Sequence, residues 1–314
     1  MSDRAATSGL ERQRRLLKAL ARCRTAHPGG GLLAHLLHRA RRRALLARLD
    51  AEWQAGFVLH ESGDLVFVPV PLDARGRHCL LNPPAAHEAA LAVLAPGAVA
   101  IDVGASLGEW AVPLARAVGP VGRLVAFEPQ PLAAQALAAS FRINNLMQAS
   151  VIEAAVSDRA GKRDLAVQAV TSSAIDTGRA RIGAAGVGET VSAVRGVTLD
   201  GFVREAGLAR LDLVKIDVEG HERAVLDGAR ETIARFHPAI VMETGHESAG
   251  DRAAIAALLR GGGYDLVGVL LDHGVAPASW DAYASGEAPC LPGEVHNLLI
   301  LPAAAARPAS RDGG

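Results

Sequence analysis

From residue 97 onward, short and almost wholly apolar runs alternate with helix-patterned segments, and that alternation admits few architectures. The runs are 98–103, 123–128, 150–156, 211–216, 239–243, 264–271 and 296–301, with helical patterns near 107–118, 130–144, 198–206, 221–235 and 251–260. Strands that lack polar alternation are buried on both faces, and intervening helices allow parallel crossovers. The expected fold class is therefore α/β, a mostly parallel, seven-stranded Rossmann-like sheet with helices on both faces. Two segments interrupt the alternation: 157–197, which is polar, Gly-rich and partly strand-like, and 272–295, between the last two strands. Both are long for ordinary connections, which makes them candidates for lids or substrate walls.

Ahead of this core the pattern differs. Leucines among arginines over 10–53 read as two helices, broken at His27-Pro-Gly-Gly-Gly31. Residues 1–50 hold twelve Lys or Arg against Asp3, Glu11 and Asp50, although the whole chain has formal net charge +0. Balanced charge argues against a general nucleic-acid binder, while the basic helices suit a solvated cap, an anionic membrane surface or a partner protein. Runs such as Leu65-Val-Phe-Val-Pro-Val70 suggest short strands or a hairpin before the core. The expected organisation is a basic helical extension over 1–56, short strands over 57–84, the core over 85–302 and a disordered tail over 303–314. Cys23, Cys79 and Cys290 are dispersed without metal-ligand spacing, as suits a reducing compartment. With no secretory or membrane-spanning run, the cytoplasm is the expected location.

The first core strand, Ala98-Val-Ala-Ile-Asp-Val-Gly104, ends on an acid and a glycine. Ser106 and Glu109 have the spacing of a capping box, so a helix is expected to start there. Ligands of open α/β sheets bind at such carboxyl-end turns. Gly104 admits a ligand close to the backbone, and Gly108 lets helix and strand pack closely. The second strand ends on Glu128, whose carboxylate can accept hydrogen bonds from both hydroxyls of a ribose, before Pro129 turns the chain away. Asp102, Gly104, Ala105, Ser106, Gly108, Glu128 and Pro129 are therefore assigned to a nucleoside cofactor, with Ala155 and Val156 at the end of the third run. A pyrophosphate cofactor calls for G-x-G-x-x-G, whereas here Gly104-Ala-Ser-Leu-Gly108 lacks the phosphate glycines. Asp102 would repel phosphate and attract a ligand carrying an ammonium and a sulfonium, as S-adenosylmethionine does. Spacing favours that ligand and leaves a nicotinamide-dependent oxidoreductase as the alternative.

Ile101-Asp-Val-Gly-Ala-Ser-Leu-Gly108, Val125-Ala-Phe-Glu-Pro129, Val197-Thr-Leu-Asp200, Leu213-Val-Lys-Ile-Asp-Val-Glu-Gly-His-Glu222 and Asn297-Leu-Leu-Ile-Leu-Pro302 resemble, in order, the motifs of the FkbM-type methyltransferase family. The resemblance spans roughly 85–302. It implies a class I methyltransferase sheet, S-adenosylmethionine as cofactor, and transfer to a hydroxyl oxygen of a sugar, glycan or secondary metabolite. Pro113 departs from the pattern and is expected to kink the first helix. A non-catalytic relative that docks partners through its basic helices is the third reading.

Methyl transfer needs an acceptor oxygen in line with the S–CH3 bond and a group to take its proton. The strand 211–216 leads into Asp217, Glu219 and His221, and the strand 239–243 into Glu243, with His246 and Glu247 beyond. Asp217 is the first candidate to line the reaction centre. Glu219 with His221 is a possible acid/base pair, and Glu243 can share that role. Lys215, inside a buried strand, requires an acid partner, expected to be at a neighbouring strand end. Asp217, Glu219 and Glu243 are hard donors of the type Mg2+ takes, but their spacing singles out no ligand set and no metal is assigned.

Overall fold

The computed structural model describes residues 40, 41, 44, 56–59, 64–68, 84–168, 180–187, 189–271, 274–288 and 296–303. Residues 40, 41 and 44 are helical. The remainder of the extension ahead of Gly56, and the tail after residue 303, lie outside the described residues.

Gly56–Leu59 (β1) and Leu65–Val68 (β2) pair antiparallel. Val66 and Val68 of β2 are buried in the main core. Phe67 N–H donates to the buried Ser140 hydroxyl at 2.8 Å, and Arg116 meets Asp64 at 2.6 Å. After helix α1 (Pro84–Leu91) the central strands follow: β3 (Val99–Val103), β4 (Arg123–Phe127), β5 (Ala149–Ile152), β10 (Leu213–Ile216) and β11 (Ala239–Thr244). Their spatial order is β11-β10-β3-β4-β5, all parallel, so strand order reverses on the two sides of β3. That reversal creates the crevice in which such sheets hold ligands.

Three antiparallel strands extend the sheet beyond β11: β14 (His296–Pro302), β12 (Tyr264–Leu271) and β13 (Gly274–Pro277). The seven-stranded, mostly parallel sheet expected from the sequence is thus corrected to an eight-stranded mixed sheet. The extra strand lies in 272–295, where β13 pairs with β12. The run 150–156 also divides. β5 stays in the main sheet, whereas β6 (Ala155–Val156) joins a second, four-stranded sheet of order β6-β9-β7-β8, with β7 Gly161–Gln168, β8 Arg181–Ile182 and β9 Glu189–Val197. The segment 157–197 therefore contributes a sheet of its own.

Period-two alternation divides the core into two layers. Ala100, Leu213, Ala239, Val241 and Leu299 face α2 (Ala111–Val118) and α3 (Pro131–Ile143). Ile101, Val103, Val214, Ile216, Ile240, Met242 and Ile300 face α4 (Leu199–Glu205), α5 (Glu222–Asp227), α6 (Arg230–Phe236), α7 (Ala249–Gly261) and α8 (Trp280–Ser285). The helix expected over 221–235 is two helices. Gly228 packs where a Cβ would stand 2.1 Å from the Ser157 carbonyl, and Asp200 caps α6 by accepting from Thr232 N–H at 2.7 Å and Glu231 N–H at 3.2 Å. No helix among the described residues is long and apolar enough to cross a membrane.

Candidate active site

The first turn is pinned from below and from the side. Gly104 and Ala105 N–H both donate to the Phe127 carbonyl at 2.9 Å, and Asp217 N–H donates to the Val103 carbonyl at 2.9 Å. Gly104 has φ +81, and a Cβ on it would lie 1.8 Å from the Asp217 carbonyl oxygen, so no other residue fits between these strand ends. Gly108, at φ +106, allows close packing, but against helix α3 rather than the expected strand, since a Cβ there would stand 2.6 Å from Leu137.

The capping box does not form. Ser106 takes φ +49 and its N–H donates to Glu128 Oε2 at 2.8 Å, while Gln130 N–H donates to Glu128 Oε1 at 2.8 Å. Glu128 thus straps the turn after β3 to the turn after β4. Helix α2 starts only at Ala111, with Trp110 at its cap and no side-chain cap bond. Pro113 consequently falls in the first turn, where backbone N–H groups have no helical partner to lose, and the expected kink is unnecessary. Ala155 and Val156 are buried and pair with Gly196 and Val197 of β9. A groove of about 870 Å³, lined by Phe127, Ile152, Val197 and Phe202 with Lys162 and Arg195, adjoins the ends of β4 and β5.

Alternation carries Asp102, Lys215 and Glu243 onto the face covered by α2, and Lys215 and Asp102 are register partners. Lys215 is fully buried. Its Nζ donates to Asp217 Oδ2 at 2.9 Å and to the Ile216 carbonyl at 3.3 Å, and lies 5.3 Å from the Trp110 ring centroid. The expected buried ion pair is present, but its acid lies two residues further along the same chain rather than on a neighbouring strand.

Around this ammonium the carboxyls crowd. Burial pushes Asp102 up to about 7 against the pull of Lys215. Burial likewise lifts Glu109 to about 7, with Asp217 adding to the rise. Glu128 also reaches about 7, because burial outweighs the two backbone N–H groups it accepts from. Asp217 behaves oppositely. Burial would raise it, but Lys215 and a hydrogen bond with Glu243 together hold it below the ordinary carboxylate range. Glu243, buried and facing Asp217 and Glu219, is pushed well above that range, so the proton of the pair resides on Glu243.

The turn after β10 is strapped like the first. Glu222 Oε1 accepts from Gly220 N–H at 3.1 Å and Val218 N–H at 3.3 Å, which holds Glu219 at φ +55. After β11, Glu247 accepts from Gly245 N–H at 2.7 Å and the Tyr283 hydroxyl at 2.9 Å. These acids support the turns. The pairing expected of Glu219 and His221 does not arise. His221 Nε2 lies 2.9 Å from the Ser157 hydroxyl, while Glu219 Oε2 meets His246 Nε2 at 3.2 Å. His246 and Glu109 are the residues that the sequence left without a site role. Glu109 had one available signal, its place directly after Gly108 on the turn that carries Asp102.

A family model described as the methyltransferase FkbM domain matches residues 102–266, just over half of the chain. The 31-O-demethyl-FK506 methyltransferase FkbM of Streptomyces tacrolimicus is 31% identical over 201 residues, which cover 55% of this chain and 75% of that protein. The methyltransferase sdnD of Sordaria araneosa is 29% identical over 195 residues, covering 53% and 73%. A crystal structure of methyltransferase FkbM from Methylobacillus flagellatus superposes with TM-score 0.38 at 15% identity. That superposition covers 75% of this chain and about half, 49%, of the other, and is too loose to place any site residue. The family model and the FkbM relative agree with the motifs seated on this turn-and-strand frame: the chain belongs to the FkbM family of methyltransferases.

Proposed function

We propose that this chain, through the domain spanning 85–302, transfers the methyl group of S-adenosylmethionine to a hydroxyl oxygen of a sugar, glycan or secondary metabolite. One observation carries the reading: Asp102, Glu109, Asp217 and Glu243 converge on the Gly104 turn with Lys215 as the one buried ammonium among them. A buried cluster with that surplus of carboxyls suits a cationic ligand group beside it. Asp102 Oδ2 is buried without a hydrogen-bond partner, and an ammonium or sulfonium would relieve it. The O-methyl part draws on the FkbM relative, whose name specifies an oxygen site.

S-adenosylmethionine supplies a methyl carbon already activated by its sulfonium. The chain's residues hold it and align the acceptor. Glu128 takes the ribose hydroxyls on lone pairs left beside the Ser106 and Gln130 bonds. Gly104, Ala105 and Ser106 form the cradle. As the acceptor oxygen attacks the methyl carbon, the C–S bond breaks, its electrons remain on sulfur, and the hydroxyl proton passes to a base. Asp217, the ionised member of its pair with Glu243, is that base in our reading.

Incubation with S-adenosylmethionine and a panel of polyol, glycan and macrolide acceptors is expected to give S-adenosylhomocysteine and an acceptor heavier by one methyl group. Asp217→Asn should still fold and bind S-adenosylhomocysteine but melt lower, because the buried Lys215 loses its acid, while turnover per folded enzyme falls by roughly 10²–10⁴-fold. Wild-type turnover in that variant would remove Asp217 from the chemistry. Glu128→Ala is expected to weaken S-adenosylhomocysteine by about 1–3 kcal/mol, the scale of charge-assisted hydrogen bonds, in calorimetric titration. Unchanged affinity would place the ribose elsewhere.

A further inference from the structure

We propose that Glu219, Glu243 and His246 form a divalent-cation site at the carboxyl ends of β10 and β11, whose open positions grip the acceptor's oxygens. The ion site stands on the geometry alone, whereas its use as an acceptor clamp rests on the methyltransferase reading above.

One donor atom from each of the three residues lies within 4.8 Å of the others. His246 Nε2 is 3.2 Å from Glu219 Oε2 and 3.9 Å from Glu243 Oε2. Ligands at ~2.0–2.2 Å from a shared ion sit about 3–4 Å apart, so little movement is needed to close on one. The second observation concerns Glu243 itself. It is 8% exposed, and its Oε2 is buried with no hydrogen-bond partner while pointing at His246. A buried carboxyl oxygen left so is costly unless something completes it, and a cation that displaces the Glu243 proton would do so. Lys215 does not fill the need, because Asp217 engages it on the neighbouring strand end.

Glu219 is a non-glycine residue at φ +55, a conformation that persists only where surrounding bonds enforce it. Glu222 enforces it from both sides by taking Val218 and Gly220 N–H. One imidazole with two carboxylates suits Mn2+ or Zn2+ better than Ca2+. With three protein ligands, the ion keeps positions for two adjacent oxygens of a polyol or hydroxy-ketone. Binding there lowers the hydroxyl's pKa, so its proton leaves more readily to Asp217.

The test uses the metal-stripped full chain titrated with MnCl2, reading free Mn2+ by electron paramagnetic resonance. A single saturable site is expected, displaced by Zn2+. His246→Ala should weaken Mn2+ at least tenfold while keeping the wild-type melting profile and S-adenosylhomocysteine binding, and Glu243→Gln should weaken Mn2+ by a similar factor. Glu231→Gln, on exposed α6, should leave Mn2+ affinity unchanged and so exclude general attraction to acidic surface. Absence of Mn2+ and Zn2+ binding by a chain that still binds S-adenosylhomocysteine would overturn the ion site, as would equal affinity in all variants. Methyl transfer at full rate after chelation would overturn the clamp and leave the methyltransferase reading intact. Site-dependent Mn2+ binding with no methylation of any acceptor would do the reverse, supporting the ion site while the methyltransferase reading failed.

Discussion

Lys215→Met is expected to cost about 3–5 kcal/mol of stability near neutral pH, the scale for leaving a buried acid without its partner. Methionine fills much the same volume and keeps contact with Trp110, so the loss is chiefly electrostatic. The pH dependence carries the diagnosis. In the wild type Asp217 is depressed, so its stabilising contribution is present above the ordinary carboxylate range and disappears as pH falls through its lowered value. Without the ammonium that carboxyl rises instead, and Asp102, which Lys215 pulls down, rises further. The variant's deficit should therefore be largest at neutral to mildly alkaline pH and shrink in acid, where the carboxyls are protonated in both proteins. Urea denaturation at several pH values reads this directly. A deficit independent of pH would mean that Lys215 acts by packing.

Gly104→Ala is expected to lower S-adenosylhomocysteine affinity a hundredfold or more, about 2.7 kcal/mol. A similar loss of folding stability should accompany it. A left-handed conformation costs a non-glycine residue of order 1–3 kcal/mol. The new methyl group would also meet the Asp217 carbonyl, a backbone atom that moves only if β3 and β10 part. Overpacking of that kind costs typically about 1–3 kcal/mol more. Both readouts report on one contact, where the turns after β3 and β10 meet at Gly104 and Asp217. Calorimetry with S-adenosylhomocysteine and thermal melting together measure the effect. Wild-type values for both would show that the turn relaxes freely.

The wild-type, ligand-free site has its own pH signature. Asp102, Glu109 and Glu128 are raised to about 7 in the folded chain, so each contributes stability in acid that is lost as pH climbs through that value. A cationic ligand relieves the same strain by favouring their ionised forms.

Much of this was legible along the chain. Apolar runs located the central strands, since burial on both faces keeps most of their residues apolar, with Asp102, Lys215 and Glu243 as exceptions. Two acids ending adjacent strands located the first turn, because parallel pairing brings the ends of β3 and β4 together whatever lies between. The motif around Lys215 named the family. Less legible was everything that depended on which neighbour a side chain meets. Ser106 and Glu109 have the spacing of a capping box, yet a left-handed backbone at Ser106 hands its N–H to Glu128 and delays the helix to Ala111. The run 150–156 reads as one strand, but its two ends belong to different sheets.

The sequence by itself determined the central parallel strands and their alternation with helices, the glycine-bounded turn and the family, because strand periodicity and turn chemistry are local. Tertiary structure decided the partners. His221 went to Ser157, Glu219 to His246 and Lys215 to its own strand end. The acids divided into turn straps, Glu128, Glu222 and Glu247, and a converging set around Asp217. That division comes from strand register and from two consecutive left-handed residues, Glu219 and Gly220, whose side-chain directions no spacing rule specifies.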